Sequence, residues 1–302
     1  MKSLHPLLSF PYFVAVLALT MLIRNPVATL GSLLGAFCYW LMTTNGKEKR
    51  ADLGFYIPLA VLITVANPVF SHNGRTPLFF LNDNAFTLES LLYGAFNAAL
   101  IVSVLLWSKA YSKTVTSDKF LYLFGGILPK TALILSVALR YLPMLRKEAR
   151  RLKDAQKTVG LYSKGSVTDN FLSSCKIYYA LVGRTLENAV GTAESMRARG
   201  WGKAKRVPYA RYRFRIPDKV LAPVLLCLLV VVSVGAGTGS LTFSFYPAPT
   251  DLLPNGFSAF AAAAFWLLSF FPALYETEVN LQWRLLQSKI SVSAIPQPKK
   301  TR

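Results

Sequence analysis

The chain has 302 residues, 53% of them hydrophobic, and carries 34 Lys+Arg against 14 Asp+Glu for a net charge of +20. Several of its apolar runs approach the about 20 residues that a helix needs to cross a bilayer, so apolar mass and positive charge are segregated and a soluble nucleic-acid binder is excluded. Cys38, Cys175 and Cys227 are far apart and His5 and His72 are isolated, so neither a disulfide framework nor a metal site with converging ligands is expected.

The first segment, Met1 to Arg24, has one Lys followed by an apolar run, like a signal peptide. It has no small-residue cleavage site, because Arg24, Asn25 and Pro26 follow and another apolar stretch begins at once, so it is read as a retained first span. Apolar stretches at 7–23, 27–43, 55–70, 88–107, 220–238 and 257–275 predict about six spans. The third contains Pro58 and closes on Asn67-Pro68, which predicts a tilted or broken helix covered by its neighbours. Lys47, Lys49 and Arg50 crowd the link from Asn45 to Asp52, whereas the links at Arg24 and at 71–87 hold one Arg each. Positive residues in short links stay on the cytoplasmic side, so the chain is expected in the cell membrane with both termini in the cytoplasm.

The middle of the chain, 109–219, holds 23 of the 34 Lys+Arg and seven of the 14 acids, a net of +16 out of +20. It is therefore expected to be cytoplasmic. Phe120 to Leu145 is apolar, but Lys130 and Arg140 interrupt it, and a seventh crossing there would place the basic stretch 146–157 outside. An interfacial or protein-covered helix is the expectation. Next, Leu142, Leu145, Ala149, Leu152, Gln156 and Val159 line one stripe of a helix while Arg146, Arg150, Lys153 and Lys157 line another. A second helical pattern runs from Phe171 through Cys175, Tyr178, Val182, Leu186, Ala189, Ala193 and Met196 to Gly200. Gly160 and Gly200 are placed as helix stops, since glycine accepts the left-handed backbone that closes a helix. Beyond them, aromatic and basic residues alternate through 209–215, which suits the headgroup layer, and 296–302 reads as a flexible basic tail.

No Gly-Lys-Ser or Gly-Lys-Thr phosphate loop, no Gly-x-Ser-x-Gly elbow and no His-Glu-x-x-His is present, so no catalytic residues and no cofactor are expected. Glu89, Glu276 and Glu278 lie at or near predicted span ends and read as interfacial rather than as an ion path. What remains is the end of the second amphipathic helix, from Glu194 to Gly202. There a small residue, a rigid five-donor guanidinium and a helix-stopping glycine would project a plug from an exposed corner; a solvated helix end whose arginines favour the helix dipole reads equally well from these residues.

Four segments together resemble the transmembrane (T, or EcfT) component of energy-coupling factor transporters: 67–79, 116–124, Leu139-Arg140-Tyr141-Leu142-Pro143, and Met196-Arg197-Ala198-Arg199-Gly200. The resemblance covers roughly 5–280. It implies that two Ala-Arg-Gly motifs end cytoplasmic coupling helices and enter grooves of two ATP-binding-cassette ATPases, while other surfaces hold a small substrate-capture membrane subunit. It also implies that Arg197, Ala198, Arg199 and Gly200 form the second motif. The first falls at Lys157, Thr158, Val159 and Gly160, where the glycine is kept and the arginine is not. Lys157 is a candidate replacement charge, and the alternative is that the two ATPases differ.

The expected fold is all-α and polytopic, with about six transmembrane helices and a cytoplasmic unit of long amphipathic coupling helices. Its expected divisions are membrane helices in 1–108, coupling helices in 109–216, two further membrane helices in 217–280 and a basic tail in 281–302. The expected partners are two ATPases, a capture subunit and the lipid bilayer, with no nucleic acid; vitamin or metal-ion uptake is the implied process. A rival reading is a membrane enzyme acting on an anionic lipid or isoprenoid phosphate, for which Asp118, Asp154 and Asp169 give no magnesium pattern. A scaffold bound to acidic lipid is a third.

Overall fold

The structure is a computed structural model that describes residues 4–71, 76–81, 84–125, 127–160, 167–202, 212, 214, 216–245, 250–252 and 254–289. Among these residues the elements are α1 (Pro6–Leu22), α2 (Pro26–Thr43), α3 (Gly46–Phe70), β1 (Pro77–Leu81), β2 (Asn84–Thr87), α4 (Leu88–Thr114), α5 (Ser117–Gly125), α6 (Pro129–Thr158), α7 (Val167–Ala198), α8 (Ile216–Gly237) and α9 (Gly256–Lys289). The chain divides into two compact units, one of residues 1–116 with 212–302 and the other of residues 117–211.

In the first unit α2, α3, α4, α8 and α9 are each long and apolar enough to cross a membrane, and α1 is a shorter apolar helix. These six helices coincide with the six apolar stretches of the sequence. Proline opens α1 and α2, where its missing N–H costs nothing, and the side chains of His5 and Asn25 accept the orphan N–H groups of Leu7 at 3.2 Å and Val27 at 2.9 Å. Two glycines let α2 approach α9. A Cβ at Gly31 would lie 2.2 Å from the Trp266 indole, and one at Gly35 would lie 2.5 Å from the backbone oxygen of Ser269. Lipid is as apolar as the side chains, so close backbone approach and polar contacts, rather than hydrophobicity, hold such a bundle together. The Trp266 indole N–H donates to the Val27 carbonyl at 3.0 Å across the same seam. Deeper in, Ser32 Oγ lies 3.0 Å from Thr20 Oγ1 and 3.0 Å from Ser103 Oγ, and it accepts the Trp107 indole N–H at 2.9 Å, joining α1, α2 and α4 at one buried point.

The third span is continuous through Pro58 and Pro68, where the sequence predicted a tilted or broken helix. Its neighbour α4 gives close cover at the Pro68 end only: a Cβ at Gly94 would sit 2.7 Å from the Thr64 carbonyl, and the Asn67 amide, beside Pro68, donates to the Ser90 carbonyl at 2.6 Å, whereas Pro58 is exposed rather than covered as expected. The helix also begins at Gly46 rather than near 55, so most of the charged link from Asn45 to Asp52 is helical. Long-range pairing explains the extension. Lys113 Nζ meets Glu48 at 2.6 Å, and Asp52 accepts both Lys109 Nζ and the Trp40 indole N–H. The same pairs keep α4 helical to Thr114, past its predicted end at 107. Between α3 and α4 a short antiparallel hairpin pairs Leu81 with Asn84 and Phe79 with Phe86, an exception to the all-α expectation.

The second unit consists of α5, α6 and α7. The segment 120–145, read from sequence as one apolar helix, is interrupted, with α5 ending at Gly125 and α6 starting at Pro129. Neither helix is among the candidate spans. Along α6, Leu145, Ala149, Leu152 and Gln156 are half-buried while Arg146, Arg150, Lys153 and Lys157 are exposed, as the amphipathic pattern predicts, but Leu142 and Val159 at the two ends of the expected stripe are exposed. Of the basic tail expected over 281–302, residues 281–289 continue α9, while the expectations for 72–75, 161–166, 203–211 and 290–302 fall outside the described residues.

Candidate functional site at two glycine-stopped helix ends

Helices α6 and α7 stop for the same local reason. Gly160 has φ 89° and Gly200 has φ 76°, the left-handed region in which a side chain is strained. At the end of α7, the Gly200 N–H donates to the Arg197 carbonyl at 2.9 Å and the Trp201 N–H to the Met196 carbonyl at 3.0 Å. That pair of bonds is a Schellman closure, in which the residue before the glycine, Arg199, is the C-cap. At the end of α6, the Gly160 N–H donates to the Lys157 carbonyl at 3.1 Å, which makes Val159 the equivalent C-cap. Arg197 and Lys157 both stand in the last turn, where a cation complements the negative end of the helix.

The eight residues singled out by sequence therefore form two separate clusters, one per helix end. What holds these ends in register was not legible in the sequence. Tyr141 Oη lies 2.9 Å from Thr192 Oγ1, and Arg184 meets Glu148 at 2.5 Å, with Arg151 at 3.6 Å from the same carboxylate. As position rises from 141 to 148 along α6, its partner on α7 falls from 192 to 184, so the two helices run antiparallel. From the Glu148–Arg184 contact, α6 continues about 15 Å to Thr158, and α7 about 21 Å in the opposite direction to Ala198, at a rise of about 1.5 Å per residue. The two ends thus lie on the order of 35 Å apart at opposite extremities of one braced pair.

Charge and exposure complete the geometry. Val159, Gly160 and Arg199 are exposed, and Trp201 is 47% exposed beyond the closure. Exposed apolar side chains also run along α7, including Phe171, Tyr178, Tyr179, Leu186 and Val190. In a soluble monomer such a surface would be a liability; it is the kind that a protein partner or lipid covers. Among the described residues, no group of three or more His, Cys, Asp or Glu is placed to hold a metal ion. Lys119 on α5 is the one buried cation whose Nζ lacks a hydrogen-bond partner among the described residues, and burial pushes its amine below the usual lysine range.

The family model for CbiQ, described as cobalt transport protein, matches residues 4–209, which takes in α1 to α7 and both glycine-stopped ends. The chain belongs to this family. Relatives with curated names agree. The chain is 24% identical over 213 residues to energy-coupling factor transporter transmembrane protein EcfT 1 of Listeria monocytogenes serotype 1/2a, covering 65% of this chain and 79% of the relative. It is 28% identical over 189 residues to the EcfT protein of Listeria innocua, covering 59% of this chain and 69% of that one. A third EcfT protein, from Leuconostoc gelidum subsp. gasicomitatum, is 24% identical over 183 residues, covering 57% and 68%. The resemblance read from four sequence segments is therefore correct: this is an EcfT/CbiQ-like, multi-pass transmembrane component of the energy-coupling factor type, and the family match stops short of α8 and α9.

Proposed function

We propose that this chain couples ATP hydrolysis by two partner ATPases to substrate uptake through a separate capture subunit, for a vitamin or metal ion. The observation that supports it best is the antiparallel pair α6 and α7, whose two glycine-stopped ends lie on the order of 35 Å apart, too far for one small groove and suited to two protomers. ATP-driven closure of an ATPase pair moves two docking grooves relative to each other. Two long braced helices seated in those grooves convert that motion into a change of their own tilt. The exposed apolar side chains of α7 then supply a surface on which a membrane-embedded partner is gripped or released.

Orientation follows from charge. The start of α3 and the end of α4 are joined by Glu48–Lys113 and Asp52–Lys109, and Lys47, Lys49 and Arg50 belong to that same edge. By the positive-inside rule this edge faces the cytoplasm, which puts both chain termini there as well.

The test is affinity purification of the tagged chain from its native membranes in mild detergent, with mass-spectrometric identification of what accompanies it. Two ATP-binding-cassette ATPases and one or more small hydrophobic proteins are expected; recovery of the folded chain alone, or with lipid enzymes, refutes the reading. In the same preparation Arg199→Ala removes a charge-assisted bond of about 1.5–3 kcal/mol, so ATPase recovery and uptake are expected to drop roughly 10- to 100-fold while the fold is retained.

A further inference from the structure

The two helix ends share a left-handed glycine stop but not a chemistry, and the difference lies in the three residues before the glycine. Counting back from the glycine, Lys157 corresponds to Arg197, Thr158 to Ala198 and Val159 to Arg199. Lys157 is therefore the counterpart of a cation that α7 also has, not a substitute for Arg199. Residues two apart on a helix face different directions, so Lys157 does not reach the spot that a side chain at 159 occupies. The Thr158 hydroxyl is turned back onto its own helix, donating to the Ala155 carbonyl at 2.7 Å. Gly160 contributes no side chain, and nothing lies within 4 Å of where its Cβ would be. What projects from the end of α6 is the isopropyl group of Val159, 81% exposed at the C-cap with φ −83° and ψ 2°.

We infer that the end of α6 docks through Val159 into an apolar socket without a carboxylate, whereas the end of α7 docks through Arg199 into an acidic one. The inference rests on the proposed ATPase coupling and adds the kind of partner surface each end fits. A carboxylate opposite Val159 would be desolvated with no donor to meet it, the costly case of an unpaired buried charge. An apolar socket gains from burying the branched side chain and has nothing to satisfy. Two identical sockets cannot serve both plugs equally, so the two ATP-hydrolysing protomers present different surfaces to this chain. Salt then acts on one end only: it screens the Arg199 contact and leaves the Val159 contact unchanged.

The experiment compares the tagged wild-type chain with Val159→Arg and Val159→Thr, each purified from native membranes with its bound ATPases, and reads ATPase retained per chain. Val159→Arg, which would give the two ends the same plug, is expected to lower retention roughly tenfold or more by forcing a guanidinium into an apolar socket. Retention by Val159→Arg equal to or above wild type overturns the inference, because it shows an acid waiting there. If Val159→Arg does not elute as a folded, monodisperse protein, Val159→Thr decides: it keeps the shape and loses the apolar contact, so a several-fold loss supports the socket and unchanged retention overturns it. A wild-type chain that retains no ATPase refutes the coupling reading itself, separately from either variant.

Discussion

The two units of this chain solve different problems with the same secondary structure. The membrane helices meet one another through glycines, buried hydroxyls and aromatic rings. Trp107, Tyr39, Phe13 and Phe265 are fully buried, and Ser32 alone serves three partners. The α5–α7 unit buries few side chains, Ile177 and Ser173 on α7 among them, and is held by a handful of polar contacts between exposed helices. The stripe on α6 is only half-buried, and most of the large apolar side chains of α7, Phe171, Tyr178, Tyr179, Leu186 and Val190 among them, remain in the open. The first unit is joined by its own buried contacts, whereas the α6–α7 pair leaves apolar side chains for something else to cover, which is the property the proposed docking role uses.

That contrast can be broken first at Gly35. Leucine there would collide with the Ser269 backbone, and backbone cannot swing aside as a side chain does. Gly35→Leu is expected to abolish recovery of a monodisperse protein, and Gly35→Ala to cost about 1–3 kcal/mol, read as a lowered melting temperature in detergent. A melting temperature unchanged in Gly35→Ala would mean that the α2–α9 seam is looser than the structure shows. Arg199→Ala provides the opposite case, with an unchanged melting temperature beside the loss of ATPase retention.

A smaller effect is expected from Ser32→Ala, which takes away a shared partner of Thr20, Ser103 and Trp107. Interhelical hydrogen bonds in membranes contribute about 0.6 kcal/mol on average and at most about 1.7, so a loss of about 1–2 kcal/mol is expected. The smallest is expected from Arg184→Ala, an exposed partner of the half-buried Glu148, at about 0.2–1 kcal/mol. Its informative readout is coupling: loosening the brace between α6 and α7 should lower uptake per ATP hydrolysed in reconstituted vesicles more than it lowers stability. Equal, proportionate losses would assign the pair to stability alone.

Much of this architecture is legible in the sequence. Six apolar stretches became six helices, and Gly160 and Gly200 became left-handed stops. The misses have separate physical origins. Asn45 to Asp52 reads as a charged link because the partners that extend the helix through it, Lys113 for Glu48 and Lys109 for Asp52, come from the far end of another helix. The β1–β2 hairpin was passed over because its strands are only five and four residues long, inside what read as a link between spans. The break between α5 and α6 was hidden by a run apolar enough to suggest one helix.

What the sequence determined by itself was everything set within a few residues or by a tally along the chain: the apolar spans, the segregation of basic charge, the glycine stops, and the missing arginine at Val159. Those features are local because helix propensity, helix closure and transfer into lipid act on one turn or one span at a time. Tertiary structure alone decided that α2 seats on α9, that α3 stays whole past two prolines, and that α6 and α7 run antiparallel with their glycine-stopped ends at opposite extremities. Each of these rests on contacts between residues far apart in the chain, which no window of sequence contains.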